Sequence, residues 1–184
     1  MSYIRPMRTL LIDNHDSFTR NLEHLLTAVL GSPPVVQTYG SVDFAALPGY
    51  DMICISPGPG RPQDYPGYDP VFESGRPVLG ICLGMQLLGC HFGGCVERLP
   101  NCVHGRTDRI EFDHQLSNVA RYHSLHLSAV PGCFRILATN EQGVTMAIHH
   151  RNRPLIGYQF HPESFLTDNG NRFIEYARHA FHFA

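Results

Sequence analysis

Pro77-Val78-Leu79-Gly80-Ile81-Cys82-Leu83-Gly84-Met85-Gln86 decides how this chain is read. Its first half is a short apolar run behind a proline, the composition of a buried strand. After Cys82 the residues become good helix formers, so the stretch reads as a strand that turns sharply into a helix starting near Met85. Gly80 and Gly84 flank the cysteine in the pattern G-x-nucleophile-x-G. Small flanking residues tolerate the tight turn, and the side chain between them is thrust out at the C-terminal end of the strand. A helix N-terminus beneath that side chain favours negative charge there, as a nucleophilic sulfur needs. A glycine-flanked cysteine alone is commonplace; its weight here comes from what surrounds it.

Working outward, Thr9-Leu10-Leu11-Ile12 is a second buried strand, and Asp16 or Ser17 can cap the helix that follows. That helix, Phe18 to about Leu30, carries Leu22, Leu25, Leu26 and Val29 on one face and ends at Gly31-Ser32-Pro33-Pro34. Strands follow at Val35–Tyr39, Met52–Ile55 and Val78–Ile81, with helical or irregular segments between them. This alternation predicts an α/β fold: a mostly parallel central sheet flanked by helices. From about Arg109 the runs shorten, and Phe134–Thr139 and Thr145–Ile148 predict a small antiparallel portion. Leu155–Phe160 returns to the core, and Asn171 to Phe183 closes the chain as a helix. With 184 residues and no repeat, linker or low-complexity tract, residues 1–184 read as one domain.

Two further stretches carry chemistry. His161-Pro162-Glu163 follows the last strand. Residues two apart in extended backbone project to the same side, so Glu163 can hold one imidazole nitrogen while the other serves Cys82. On its own, such a pair is as well read as a surface histidine with a capping glutamate. Ser56-Pro57-Gly58-Pro59-Gly60 follows the Met52–Ile55 strand and forms a stiff turn with bare backbone. The prolines lack an N–H, so Gly58 or Gly60 supplies any oxyanion donor from this loop, with the Leu83 N–H as the second.

Taken with Asp13-Asn14-His15-Asp16-Ser17-Phe18-Thr19, His104-Gly105, Tyr122-His123-Ser124-Leu125 and Gln159-Phe160-His161-Pro162-Glu163-Ser164, these stretches resemble the class I (triad) glutamine amidotransferases from end to end. The opening motif and Tyr-His-Ser-Leu resemble more narrowly the small subunits of the anthranilate synthase and aminodeoxychorismate synthase branch. The resemblance implies a flavodoxin-like amidotransferase fold over residues 1–184. It implies Cys82 as nucleophile, His161 as base and then acid, and Glu163 as its orienting carboxylate. It further implies an oxyanion pocket from Gly58, Pro59, Gly60 and Leu83, and a glutamine site from Gln86 and the Ser124 and Leu125 backbone. The implied partners are L-glutamine and a chorismate-binding synthase subunit, in a heterodimer or heterotetramer, with no cofactor and no metal. Met85 stands where this branch usually has histidine, and Arg106 where many relatives have lysine; neither touches the triad.

Composition sets the limits. A net charge of −2 leaves no electrostatic footprint for nucleic acid or an anionic membrane. No apolar run approaches the roughly 20 residues that span a bilayer, and Met1 to Arg8 lacks the apolar stretch of a signal peptide, so the expected place is the cytoplasm. The six cysteines show no paired spacing for a disulfide framework. Cys90, His91, Cys95, Cys102 and His104 cluster loosely, too irregularly for a zinc site. Two other readings compete: a stand-alone cysteine hydrolase of gamma-glutamyl compounds, and a binding module without chemistry. The first would not need the two narrower motifs, and the intact Cys82, His161 and Glu163 oppose the second.

Overall fold

Three unbroken apolar strands lie at the centre of the structure: Met-Ile-Cys-Ile, Val-Leu-Gly-Ile and Leu-Ile-Gly-Tyr are buried at every residue. Such runs belong to strands covered on both faces. The computed structural model describes residues 7–100 and 105–183. In chain order its elements are β1 (Thr9–Asp13), α1 (Thr19–Leu30), β2 (Val35–Thr38), β3 (Met52–Ile55), α2 (Asp69–Glu73), β4 (Val78–Ile81), α3 (Leu83–His91) and β5 (Cys95–Arg98). Then come β6 (Arg106–Phe112), β7 (Gln115–Arg121), β8 (Leu125–Ala129), β9 (Phe134–Thr139), β10 (Thr145–His150), β11 (Leu155–Tyr158) and α4 (Asn171–Ala180).

A seven-stranded sheet runs in the order β2-β1-β3-β4-β11-β10-β9. The first five strands are parallel, and β10 and β9 extend the sheet in antiparallel fashion. The parallel part has the doubly wound, flavodoxin-like order, which places ligand sites at the carboxyl ends of its strands. Side chains alternate between two cores as the pleat demands. Leu11, Met52, Cys54, Leu79 and Ile81 meet Leu22 and Leu26 of α1 and Phe173, Ile174 and Ala177 of α4. Leu10, Ile12, Ile53, Ile55 and Val78 meet Val71 and Phe72 of α2 and Leu83, Met85, Leu87 and Leu88 of α3. The helices therefore cover both faces, and α3 is buried along most of its length.

Several element limits differ from expectation. The elbow helix begins at Leu83, two residues before Met85. The N-cap of α1 is Phe18, which makes no side-chain cap; the Asp16 carboxylate instead accepts the Phe18 N–H at 2.7 Å, and it does so ahead of the helix. The last sheet strand stops at Tyr158 and α4 at Ala180. Two antiparallel pairs, β6–β7 and β5–β8, lie outside the main sheet and were not anticipated as such. Among the described residues, no helix is long and apolar enough to cross a membrane.

Candidate active site

The elbow at Cys82 is strained in a way the flanking glycines did not foretell. Cys82 itself has φ 52° and ψ −101°, outside the regions L-residues favour, whereas Gly80 and Gly84 are absent from the left-handed region. The glycines serve close approach. A Cβ on Gly80 would lie 2.5 Å from the Gly84 backbone, and one on Gly84 would lie 2.6 Å from the Ile55 carbonyl oxygen. Helix α3 can therefore sit directly on β3 and β4, with its N-terminus under the sulfur.

Sheet register then brings the other chemical groups to Cys82. Ile81 pairs with Tyr158 in the parallel β4–β11 ladder, and the Cys82 N–H donates to the Tyr158 carbonyl at 2.7 Å. Gln159 is thus beside the nucleophile, and its Nε2 lies 3.6 Å from Cys82 Sγ. Beyond it the chain leaves the strand. His161 forms a single bridge with Ala120 of β7, its N–H donating at 3.0 Å, and residues 162–164 make a turn closed by the Ser164 N–H on the His161 carbonyl. The His161–Glu163 contact therefore comes from a turn rather than the extended backbone expected. The contact itself is close: Nδ1 to Oε1 is 2.7 Å, with both side chains buried.

A carboxylate only accepts, so His161 Nδ1 carries the hydrogen and Nε2 is left for the thiol. Nε2 is buried and makes no conventional hydrogen bond among the described residues. Burial opposes charging the ring, but the charges of Glu163 and Cys82, with the hydrogen bond to Glu163, override it and hold the pKa of His161 well above its ordinary value. Phe18 and Tyr122 pack against the imidazole with ring centroids 5.5 and 5.0 Å away. The triad ring is thus held on its backbone, at Nδ1 and by two aromatic neighbours.

In front of Cys82 opens a cavity of about 310 Å³ lined by Gly58, Pro59, Gly60, Leu83, Gln86, Tyr122, His123, Ser124 and Leu125. That volume is at the small end of the roughly 300–1,000 Å³ typical of ligand sites, suited to a single amino acid. The structure thus gathers around one cavity every residue singled out for the oxyanion and glutamine sites. A larger groove of about 520 Å³, lined by Asp113, His114, Arg135 and Tyr176, holds no nucleophile. Leu83 begins α3, so its N–H has no intrahelical acceptor. Gly58 abuts it: a Cβ there would lie 2.8 Å from Leu83 Cδ2, whereas one on Gly60 would meet the Asp64 carboxylate. Of the two candidate glycines, Gly58 is the neighbour of the second donor.

Gln86 Nε2 donates to the Leu125 carbonyl at 3.0 Å and to Gln159 Oε1 at 3.1 Å. Both amide hydrogens are used, which leaves Gln86 Oε1 to accept from a cationic amine. Three side chains had no individual role assigned from the sequence. Gln159 stands in the motif with His161 and follows directly on β11. Asn14 gave no more than its place in the opening motif and Tyr68 no signal, since their roles depend on tertiary contacts. Buried Asn14 donates to the Ser56 carbonyl at 3.0 Å and accepts the Tyr68 hydroxyl at 2.5 Å, which pins the Ser56–Gly60 loop. Tyr65 adds a hydroxyl to the Pro59 carbonyl at 2.9 Å.

The other described cysteines stand apart from this chemistry. Burial pushes the Cys54 thiol well up, and also raises that of Cys90. Among the described residues no group of His, Cys, Asp and Glu is arranged to hold a metal ion. Cys102 and His104 of the loose cluster lie outside the described residues.

Comparison with known proteins gives this geometry a family. The profile described as "Glutamine amidotransferase class-I" matches residues 10–179. The chain is 43% identical over 184 residues to an aminodeoxychorismate synthase from Streptomyces griseus, a match covering 91% of this chain and 25% of that protein. It therefore spans about a quarter of that relative's length. It is 38% identical to the anthranilate synthase component 2 of Azospirillum brasilense, covering 90% of this chain and 92% of the relative. A solved glutamine amidotransferase from Thermotoga maritima superposes with a TM-score of 0.74 at 19% identity, covering 86% of this chain and 77% of the other. That structure speaks for the fold alone.

Proposed function

From the premise that the chain belongs to the class-I glutamine amidotransferases, we propose that it hydrolyses L-glutamine to glutamate and delivers the ammonia to a chorismate-aminating synthase partner. The supporting observation is the Cys82–His161–Glu163 arrangement at the rim of a cavity sized for one amino acid.

The chemistry follows from the geometry. His161 Nε2 takes the Cys82 proton, and the sulfur attacks the side-chain carbonyl carbon of glutamine. The oxyanion that forms is held by the N–H groups of Leu83 and Gly58. As the tetrahedral species collapses, His161 returns its proton to the departing nitrogen, so ammonia leaves and a glutamyl thioester remains on Cys82. Water enters the vacated position, His161 removes its proton, and collapse releases glutamate and restores the thiol. Glu163 keeps Nδ1 protonated and stabilises the imidazolium present in both halves. The substrate's amino group finds Gln86 Oε1, and its carboxylate is held by backbone at Ser124 and Leu125.

Ammonia released to water would become ammonium and lose its nucleophilicity, so its value depends on direct transfer to an acceptor site. The names of the two relatives point to chorismate as that acceptor's substrate, with aminodeoxychorismate or anthranilate as product. The five cysteines among the described residues are free, which suits the reducing cytoplasm. The test is Cys82→Ser in the complex with the synthase. Glutamine-dependent amination should vanish while amination from added ammonium persists. Retention of glutamine use at near wild-type rate would refute Cys82 as the nucleophile.

A further inference from the structure

Among the described residues, the largest fully buried side chain is an arginine. Arg121, at the end of β7, is 1% exposed and ion-paired with Asp108 of β6. Burying a guanidinium costs several kcal/mol unless its partners are well placed, so the position calls for a reason. Asp108 is itself anchored, accepting Asn140 Nδ2 at 2.6 Å, while Asn140 Oδ1 takes the Val144 N–H of the β9–β10 turn at 2.8 Å. The side of Arg121 facing away from Asp108 leads to the cavity. Its Nε donates to His123 Nε2 at 2.9 Å, and His123 Nδ1 lies 2.8 Å from the Leu125 carbonyl oxygen.

The direction of every bond in this series is forced. Arginine can only donate, so His123 Nε2 must accept and the ring hydrogen must sit on Nδ1. Nδ1 therefore donates to the Leu125 carbonyl. Burial first, and the Arg121 charge second, push the pKa of His123 down to about 3, so the ring stays neutral and keeps this tautomer at neutral pH. A carbonyl oxygen has two lone pairs, and the second receives Gln86 Nε2. From Gln86 the contacts run on to Gln159 and the Cys82 sulfur. Tyr122, between Arg121 and His123, packs against the His161 ring.

We propose that His123 is a positioning residue for the substrate: its Nδ1–H, in the tautomer that the buried Asp108–Arg121 pair imposes, fixes the Leu125 carbonyl, and through it the Gln86 carboxamide that receives the amino-acid end of glutamine. Without the His123 bond, the Leu125 carbonyl loses one of its two donors and the Ser124–Leu125 backbone loses its tether to the hairpin. Glutamine affinity then suffers while the triad keeps its own supports. The proposal rests on the glutamine reading above and deepens it.

Two polar substitutions separate the bonds. The short amide of His123→Asn lies near the place of Nδ1 and keeps the donor to Leu125. The longer amide of His123→Gln lies near Nε2 and keeps the Arg121 contact while withdrawing from Leu125. His123→Leu removes both. The whole chain is inactivated with a glutamine-shaped electrophile, a diazoketone analogue, and with iodoacetamide, and labelling of Cys82 is located by mass spectrometry. Loss of one hydrogen bond of about 1.4 kcal/mol corresponds to tenfold. The half-saturating analogue concentration should rise about tenfold in the Gln and Leu variants and stay within about threefold of wild type in the Asn variant. The limiting inactivation rate and the iodoacetamide rate should hold throughout. Equal half-saturation in all variants overturns the proposal, as does a fall in limiting rate alone. If His123→Leu has melted at the assay temperature, the Asn–Gln contrast decides. Wild-type protein that is labelled without saturation would sink the glutamine reading itself, an outcome distinct from either.

Discussion

Glu163→Gln keeps the shape of the side chain and removes its charge. In the native site Glu163 Oε1 accepts from His161 Nδ1 at 2.7 Å, with both groups buried. A hydrogen bond to a charged group contributes about 1.5–3 kcal/mol, so its weakening against the imidazolium of the transition state slows turnover by roughly ten- to hundredfold. A second effect adds to the first. The new carboxamide can turn its NH₂ toward Nδ1, which then holds no proton, and the hydrogen moves to Nε2, where it blocks acceptance of the Cys82 proton. The equivalent neutral isostere in a serine-protease triad costs about 10⁴ in kcat through this reversal. The expectation is therefore a kcat lowered between roughly 10² and 10⁴, with KM for glutamine within about threefold. Because Glu163 helps raise the pKa of His161, removing its charge lowers that pKa, and any limb of the pH profile set by His161 moves to lower pH. Glutamate release, measured across pH at saturating and limiting glutamine, gives both constants. A raised KM with unchanged kcat would make Glu163 a substrate ligand and refute the reasoning.

Two predictions concern stability. The folded-state pKa of His123, about 3, lies below its ordinary value of 6.5, so the unfolded chain binds the extra proton and stability is lost as pH falls from about 6.5 toward 3, a contribution on the order of 5 kcal/mol. His161, raised instead, contributes stability that is complete below about 6.5 and fades as pH rises through its folded value. Urea titrations of wild type and His123→Asn should show a shallower acid loss in the variant; parallel curves would contradict the assignment. Gly84→Ala places a methyl 2.6 Å from the Ile55 carbonyl oxygen and 3.0 Å from Ile55 Cβ, so α3 must lift from β3. Overpacking of this kind costs typically about 1–3 kcal/mol, and kcat should fall with it because Cys82 and Leu83 ride on the same helix; a variant with wild-type melting temperature and rate would show the contact to be slack.

What the sequence made legible follows a physical divide. β3, β4 and β11 could be read because a strand covered on both faces needs no polar alternation and leaves an unbroken apolar run. The β6–β7 hairpin could not, although its ladder runs through seven consecutive pairs without a register shift. Its loop is Asp113-His114, both residues at positive φ (50° and 61°), the geometry of a turn that Asn-Gly or Asp-Gly ordinarily announces. With no glycine there, no turn signal existed. Its inward face carries Asp108 and Ser117 among Ile110, Phe112 and Val119, and Leu116 lies on the exposed face, so the apolar alternation is broken on both strands. Within β7, burial is concentrated toward its end, where Ala120 meets His161.

The site divides in the same way. Residue types identified Cys82, His161 and Glu163 because few arrangements use a glycine-flanked cysteine together with a histidine and a carboxylate. What brings the first two together is the strand order, which periodicity cannot supply: β11 must lie beside β4, although β5 to β10 intervene in the chain. Once Ile81 pairs with Tyr158, the nucleophile and the segment 159–161 are neighbours by register alone. Nor could the flanking glycines reveal that Cys82 carries the strain itself. Gly80 and Gly84 are required by helix-to-strand distance, and the residue between them, where strand turns into helix, has φ 52°. The backbone strain at the nucleophile and the tight seating of α3 thus meet at one turn: a side chain at either glycine would lift the helix, and the lifted helix would no longer aim the sulfur at the cavity.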